Sequence, residues 1–336
     1  MPLEKTVEPT CTTPKVTVCI TTFNHAAYVR QTLDSVLMQQ TSFPFEILVG
    51  DDCSTDGTID ILKAYRDTHP DIVRLNLHEQ NVGVNRQDYE LIHLAKGEYI
   101  AQLDGDDYWI TPDKLEKEAH ILDTHKECSC VHTEWRDFIE ADNRYRDVHL
   151  HPKDWERTLM GGALVKKLLT GETCGARFSS TMYRRMILLD FLRDDPSVYL
   201  TVPHLQNDFA ALCILALSGP FYCLHEITTV YRIRPESLSM TQQAAKRLRY
   251  TLSALHQTVY WLKKINASHA FIQTMMRKPV GGILTMMYQQ NCSPDVAQEI
   301  ERLCSDVGYR PSVGQRLLLA STRSRLLHAA LKPLVK

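Results

Sequence analysis

The sequence lacks the features that would mark a membrane-spanning or nucleic-acid-binding protein. It contains no uninterrupted apolar run of about 18 residues, the length that a transmembrane helix requires. Residues 1–14 are polar and rich in proline and threonine, unlike a secretory signal peptide. The 38 basic and 40 acidic residues leave a net charge of −2, so no excess of positive charge favours nucleic acid as a partner. We expect a protein that neither crosses a membrane nor binds nucleic acid.

The sequence also lacks the cysteine and histidine spacings of zinc sites and disulfide frameworks. Its ten cysteines contain no CxxC pair, and Cys128 and Cys130 are too close together to act as paired ligands on one strand. The fourteen histidines are scattered. Cys19, Cys53 and Cys213 lie in apolar or turn contexts, and we expect them to be small buried side chains in a reducing cytoplasm.

What the sequence does contain is a long alternation of strand-like and helix-like segments. Its 336 residues are 44% hydrophobic, enough for the core of one enzyme domain with an appendage. Apolar, β-branched segments separated by stretches of helical spacing predict a parallel sheet covered by helices. The strand-like segments are residues 16–21, 45–50, 72–77 and 99–103. In such a sheet the ligand crevice lies beyond the carboxyl ends of the strands.

An acidic cluster stands at the end of the last of these strands. Asp104, Asp106 and Asp107 surround Gly105, and three carboxylates so close together repel one another unless a cation is bound. Mg²⁺ or Mn²⁺ fits, because these ions are held by one or two carboxylates and take their other ligands from substrate phosphate and water. A solvated acidic turn is the alternative, since aspartate and glycine favour turns. Trp109, which follows the cluster, either stacks on a ligand or anchors the core.

Four motifs occur in an order and at a spacing that resemble the family 2 inverting glycosyltransferases, which have the GT-A fold. The motifs are residues 16–24, 50–58, 81–86 and 97–107, the last followed by residues 112–115. The resemblance covers about residues 15–235. It implies an α/β fold with a Rossmann-like mixed sheet that binds a nucleotide-diphospho-sugar.

The resemblance assigns the donor side of the site. It implies that Asp52, the second aspartate of the pair at 51–52, accepts a hydrogen bond from the uracil imide. A carboxylate suits this contact because it offers acceptors and no donor. The same motifs place Thr21, Phe23 and Arg86 on the donor side.

The acidic cluster resembles the DxD element of the family. Asp104 and Asp106 are then expected to address the ribose and the metal-bound diphosphate, with the metal ligands among these two. Asp107 is expected close by. Mn²⁺ or Mg²⁺ is the implied cofactor.

An inverting transfer also needs a base that removes the proton of the acceptor hydroxyl. The family supplies an acid near the start of a later helix, and Asp208 is the matching position, next to Asn207, where many relatives have an acid. The alternative is an aspartate that only complements the helix dipole. Other acids that could then serve as the base are Asp194, Asp195 and Glu226.

Two further segments resemble later parts of the family. Residues 174–185 resemble the acceptor-lining segment, so we expect Arg177, Ser179 and Ser180, with Trp109, on the acceptor side; a tightly packed strand is the alternative. Residues 229–239 resemble the element that closes the fold, with Arg234 in place of the usual histidine.

The pattern changes at residue 240. We divide the chain into a polar tail (1–14), a GT-A domain (15–239) and an α-helical C-terminal module (240–336). After Asp306 the sequence has no acid but is rich in basic residues and leucine. Such a tail suits the surface of an anionic membrane, where a lipid-linked acceptor would lie. Because the leucines do not share one helical face, packing on the enzyme or on a second subunit is the alternative.

The sequence therefore predicts a metal-dependent inverting glycosyltransferase that uses a nucleoside-diphosphate sugar, with a UDP-sugar favoured. Its acceptor would be a glycan or lipid-linked glycan of the bacterial surface, such as lipopolysaccharide or capsule. It would act in the cytoplasm or on the inner face of the cytoplasmic membrane. One alternative is a catalytically silent nucleotide-sugar-binding scaffold. Another is a sugar-phosphate nucleotidyltransferase, although residues 21–24 lack the glycine-rich, basic phosphate loop expected of one.

Overall fold

The structure, a computed structural model, describes residues 13–148, 158–172, 176–234, 243–290 and 294–322, with the isolated positions 324, 327 and 331. Four of the segments discussed above fall partly or wholly outside these described residues. They are most of the N-terminal polar tail, residues 174 and 175 of the acceptor-lining segment, residues 235–239 of the closing element, and most of the basic tail beyond residue 322.

Within the described residues, nine strands form one mixed sheet. They are β1 (Val16–Thr22), β2 (Phe45–Asp51), β3 (Val73–Leu77), β4 (Tyr99–Asp104), β5 (Tyr108–Trp109), β6 (Cys130–Ile139), β7 (Arg144–Val148), β8 (Thr181–Arg184) and β9 (Phe221–Ile233). Their order is β3-β2-β1-β4-β8-β6-β9-β5, with β7 paired to β6. The first four strands in this order are parallel. Strand β8 runs antiparallel to both β4 and β6, so the sheet is mixed.

The described helices lie on both faces of the sheet and in the C-terminal region. They are α1 (Val29–Leu37), α2 (Thr58–Thr68), α3 (Val84–Leu94), α4 (Lys114–Thr124), α5 (Gly162–Thr170), α6 (Arg185–Asp194), α7 (Ser197–Leu200), α8 (Asn207–Ser218), α9 (Ala244–Lys264), α10 (His269–Gln290), α11 (Pro294–Asp306) and α12 (Val313–Ser321). None of these helices is long and apolar enough to cross a membrane.

The side-chain alternation of the strands builds a core on each face of the sheet. On β1, Val18 and Ile20 point to the face that α1 covers through Leu33. Cys19 points to the opposite face, where it packs with Leu91 of α3. This is the alternation expected of a strand that is buried on both faces. Cys19 and Cys213 are buried as the sequence predicted, whereas Cys53 is partly exposed.

The helical C-terminal region expected from the sequence is present. Helices α9 to α12 surround a separate apolar core that includes Leu255, Met276 and Ile300. Trp261 of α9 packs instead with the core of the sheet and α8. Helix α9 therefore contributes to both cores.

Candidate active site

The site begins where β1 and β4 end side by side. Thr21 lies opposite Asp104 in the parallel register, and its hydroxyl donates to Asp104 Oδ1 at 3.0 Å. Ser179, in a 3₁₀ turn before β8, accepts the backbone N–H of Asp104 at 3.2 Å. The adjacent Gly105 has to be glycine, because a Cβ there would lie 2.5 Å from Thr22 Cγ2 and 2.9 Å from the Thr21 carbonyl oxygen. These contacts hold Asp104 at the end of its strand, partly exposed.

The other two aspartates of the cluster face different surroundings. Asp106 is partly exposed, and its Oδ2 lies 2.7 Å from Arg234 Nη2. Asp107 is 1% exposed. Its Oδ1 accepts the backbone N–H of Arg232 at 2.8 Å and its Oδ2 accepts the Ser179 hydroxyl at 2.6 Å. Both oxygens of Asp107 therefore bond inward and tie β9 to the 3₁₀ turn, beside the other two aspartates.

The chemistry of Asp104 and Asp106 fits a divalent cation. Burial, and next the charge of Asp106, raise the pKa of Asp104, so a cation at this point would relieve a real repulsion. No group of three or more histidine, cysteine or acidic ligands occurs among the described residues. Two carboxylates suffice for Mg²⁺ or Mn²⁺ when a substrate diphosphate completes the coordination.

Asp52 is almost fully buried at the end of β2, where it anchors the loop that leads to α3. Its two oxygens accept the backbone N–H groups of Val82 at 2.7 Å and Gly83 at 2.9 Å. Each carboxylate oxygen has a second lone pair, so an imide N–H of a base could still be accepted. Sequence reasoning did not find the structural role of this carboxylate.

Two other residues expected on the donor side are exposed. Phe23 lies on the loop after β1 with its side chain in solvent. Arg86 lies on the outer surface of α3, where its side chain is 51% exposed and its guanidinium pairs with Glu90 at 2.5 Å. Of these two, Phe23 lies two residues after Thr21, which bonds to Asp104 of the acidic cluster.

Asp208 lies in the first turn of α8, as its sequence position predicted. Its Oδ1 accepts the backbone N–H of Phe209 at 2.7 Å. Burial raises the pKa of its carboxyl group, and the charge of Arg177 partly offsets this. The charge of Asp208 is also among the causes of the raised pKa of Asp104, after burial and the charge of Asp106. A partly exposed carboxylate with a raised pKa is suited to accept a proton.

The other candidate bases are engaged elsewhere or fully in solvent. Asp195 pairs with Lys264 at 2.8 Å. Although burial opposes it, hydrogen bonding led by Lys264 lowers the pKa of Asp195 to about 2, which makes it a poor base. Glu226 pairs with Lys117 at 2.5 Å. Asp194 is largely exposed on the surface of α6.

Three of the four residues expected on the acceptor side, Trp109, Ser179 and Ser180, are buried and bond inward. The Trp109 indole N–H donates to the Ser179 carbonyl oxygen at 2.9 Å, and the Lys114 ammonium lies 4.8 Å from the Trp109 ring centroid. Trp109 is therefore a core anchor, one of the two alternatives left open by the sequence. Ser179 and Ser180 are also buried, Ser180 with its hydroxyl donating to the Arg177 carbonyl oxygen at 2.9 Å.

Arg177 is the fourth, and it stays partly exposed. Its guanidinium carbon lies 4.2 Å from the ring centroid of Tyr231 and 5.4 Å from that of Trp135. An arginine held between two aromatic rings next to Asp208 fits a surface that binds a sugar.

Sequence reasoning missed Asp88, which lies on α3 with no exposed surface. Its Oδ1 accepts the Gln102 amide N–H at 3.1 Å. Burial raises the pKa of Asp88 to about 6, opposed by hydrogen bonding from Tyr199 and Asn207. The signal was present in the sequence, because Asp88 shares the helical face of Leu91 and Ile92 at the spacing of a buried stripe.

Comparison with known proteins relates this chain to one family. The model described as glycosyl transferase family 2 matches residues 17–192. An uncharacterized protein of Mycobacterium tuberculosis is 31% identical over 214 residues, which cover 62% of this chain and 56% of that protein. The Escherichia coli glucosyltransferase WfaP, named for UDP-Glc and α-D-GlcNAc-diphosphoundecaprenol, is 34% identical over 111 residues, or 33% of this chain and 42% of WfaP. The chain thus spans little more than half the length of the first of these relatives.

Solved structures share the fold at low sequence identity. The mannosyltransferase PcManGT of Pyrobaculum calidifontis, in complex with GDP-Man and Mn²⁺, aligns with a TM-score of 0.51 at 17% identity over 98% of this chain and 90% of its own. S. aureus TarS 1–349 with UDP-GlcNAc aligns with a TM-score of 0.50 at 16% identity over 92% and 91% of the two chains.

The mixed sheet, with acidic side chains at the carboxyl ends of its parallel strands, defines a protein of the GT-A fold. Since the family model covers more than half of its residues, the chain belongs to glycosyl transferase family 2. The resemblance inferred from the four sequence motifs is confirmed.

Proposed function

We propose that this protein transfers a sugar from a nucleoside-diphosphate sugar to a glycan acceptor with inversion at the anomeric carbon. The observation that carries the proposal is the pairing of two unlike acidic sites. Asp104 and Asp106 stand at the end of β4, and the partly exposed Asp208 lies close enough for its charge to raise the pKa of Asp104. The pair Asp104 and Asp106 suits the departing diphosphate, and Asp208 suits the attacking hydroxyl.

On the donor side, Asp104 and Asp106 would hold Mn²⁺ or Mg²⁺, which supplies positive charge to the diphosphate as it leaves. Arg234, now 2.7 Å from Asp106, is within reach of the same negative charge. Asp52 would accept the imide N–H of the base through its remaining lone pairs. A UDP-sugar fits this contact, and the names of WfaP and of the TarS complex include UDP-sugars. Thr21 and Phe23 would flank the donor.

On the acceptor side, Asp208 would accept the proton of the hydroxyl as its oxygen forms the bond to the anomeric carbon. The bond from that carbon to the diphosphate breaks on the opposite face, so the configuration inverts. The raised pKa of Asp208 makes it a stronger base than an ordinary aspartate. Arg177, between two aromatic rings, would orient the acceptor.

We further propose an acceptor in bacterial surface glycan synthesis, presented on a lipid at the inner face of the cytoplasmic membrane. WfaP is named for such a lipid-linked acceptor. In the described part of the C-terminal module, Arg310 and Arg316 are exposed and could contact anionic lipid.

The test compares donor turnover and donor binding in Asp208→Asn. This change keeps the side-chain shape while removing the proton acceptor. Turnover of UDP-Glc, UDP-GlcNAc and GDP-Man would be followed with Mn²⁺, by transfer to a lipid-linked glycan panel and by slow hydrolysis. We expect turnover to fall about a hundredfold to ten-thousandfold, the usual contribution of a general base. UDP affinity in calorimetry should not change.

The matched control is Asp194→Asn, which alters an exposed acid of α6 and should keep full turnover. An Asp208→Asn protein that keeps normal turnover and melts earlier would show that Asp208 only stabilises its helix. A wild-type protein that binds donor without any transfer or hydrolysis would support the silent-scaffold alternative.

A further inference from the structure

The segment that leads into Asp208 is held by hydrogen bonds from three separate elements. Asn85 of α3 donates its side-chain N–H to the His204 carbonyl oxygen at 2.7 Å. The His204 ring bonds to the Val198 carbonyl oxygen of α7. Gln257 of α9 donates its side-chain N–H to the Gln206 carbonyl oxygen at 2.9 Å. The third of these contacts comes from the helical C-terminal region.

The carbonyl group that Gln257 binds is the one that starts α8. Gln206 precedes the first helical residue, and its carbonyl oxygen also accepts the backbone N–H of Ala210 at 3.3 Å. Asp208 lies between these two residues in the first turn. A shift of this carbonyl group would therefore move the turn that carries the Asp208 carboxylate.

Gln257 is itself rigidly placed. It is 2% exposed, and on the same helix Trp261 packs into the core of the sheet while Leu255 and Val259 pack into the core of the C-terminal helices. Because α9 is anchored in both cores, the side-chain amide of Gln257 cannot follow a movement of the segment before α8. The second partner of the amide, His204 Nδ1 at 3.4 Å, lies in that same segment.

We propose that Gln257 is a positioning residue through which the C-terminal helices hold the first turn of α8, and with it Asp208, in the geometry that proton transfer requires. This inference rests on the proposed function, in which Asp208 is the base. Through this one contact of α9, the C-terminal helices help to position the base.

The test uses Gln257→Leu, which keeps the approximate volume and removes the hydrogen bond, and Gln257→Glu, whose carboxylate cannot donate to a carbonyl oxygen. For both we expect kcat to fall between about tenfold and a hundredfold, the cost of a displacement of about 1 Å at a catalytic group. The donor KM and the UDP affinity should stay at the wild-type values. Assays would be run well below the melting temperature of every variant, as monitored by circular dichroism.

The matched control is Gln315→Leu in α12. Gln315 is 7% exposed, and its amide bonds to the Arg277 carbonyl oxygen at 2.8 Å and accepts the Tyr309 hydroxyl at 2.7 Å, both within the C-terminal helices. This variant should melt earlier than wild type and keep its kcat. If Gln257→Leu also only melts earlier, Gln257 is a structural residue and the proposal is wrong.

A double variant separates this proposal from the proposed function. If Gln257 acts through Asp208, then adding Gln257→Leu to Asp208→Asn should cause little further loss of kcat. Losses that multiply would overturn the proposal while leaving Asp208 as the base. If Asp208→Asn alone keeps full turnover, the base assignment fails and the positioning role fails with it. If Gln257→Leu keeps the wild-type kcat while Asp208→Asn loses it, the positioning role alone is overturned.

Discussion

Replacement of Asp88 by asparagine should make the protein more stable at neutral and alkaline pH. Asp88 has no exposed surface; the Gln102 amide donates to its Oδ1 at 3.1 Å, and its other polar neighbours, Tyr199 and Asn207, carry no positive charge. Burial raises its pKa from 3.8 to about 6. The ionised carboxylate is therefore a destabilising group, and asparagine removes the charge while it keeps the shape.

The sign and size of this change in stability follow from the difference in the Asp88 pKa between the folded and unfolded chains. Because the folded pKa is the higher, the folded state binds the proton more tightly, and stability falls as the pH rises from about 4 to about 6. A difference of roughly two pKa units corresponds to about 3 kcal/mol, fully expressed above pH 7. This is an upper bound, since the new amide N–H needs an acceptor. At about 2–4 °C per kcal/mol, the melting temperature at pH 8 should rise by roughly 6–12 °C.

The assay is thermal denaturation of both proteins between pH 4.5 and pH 8. The gain in Asp88→Asn should shrink towards zero at the acidic end. Asp195→Asn is a control of opposite sign, because hydrogen bonding led by Lys264 outweighs burial and lowers the Asp195 pKa to about 2. That variant should be less stable than wild type throughout this range, because its deficit is lost only as the pH falls from about 4 towards about 2. The reasoning would be refuted if Asp88→Asn were less stable than wild type at pH 8, or if the difference in melting temperature between the two proteins did not depend on pH.

Two further predictions concern the donor side. Chelation should abolish transfer, and Mn²⁺ or Mg²⁺ should restore it. Asp106→Ala should stay inactive in excess metal, whereas the control Asp113→Ala, which alters an exposed acid beside Lys117, should stay active. Full activity in excess chelator would reject the cation site. Asp52→Ala removes the acceptor proposed for the imide N–H of uracil, and Asp52→Asn puts an amide donor beside it, so UDP affinity in calorimetry should fall about tenfold to a hundredfold. Unchanged UDP binding in both variants would mean that Asp52 only anchors its loop.

The sequence by itself was sufficient to predict the first four strands, the helical stretches between them and the edge of the sheet where the acids gather. The strand β1 and the helix α1 each follow a hydrophobic period that is read locally, from residues less than a turn or two apart. The position of Asp104 at the end of β4 follows from that pattern, because the polar residue comes directly after the last buried one. The family motifs added the expected chemistry of this edge, which the hydrophobic period of a strand does not contain.

The tertiary structure decided which of the neighbouring acids faces the site. Asp106 and Asp107 are adjacent in sequence, yet Asp107 is taken up by Ser179, 72 residues away, and by the backbone of Arg232, 125 residues away. The local helical period places Asp88 on the buried face of α3, but its hydrogen-bond partner Gln102 comes from the neighbouring strand β4. The contact of Gln257 with Gln206 spans 51 residues. Burial and hydrogen-bond partners belong to pairs of residues brought together by folding, and the local sequence around either member does not encode the other.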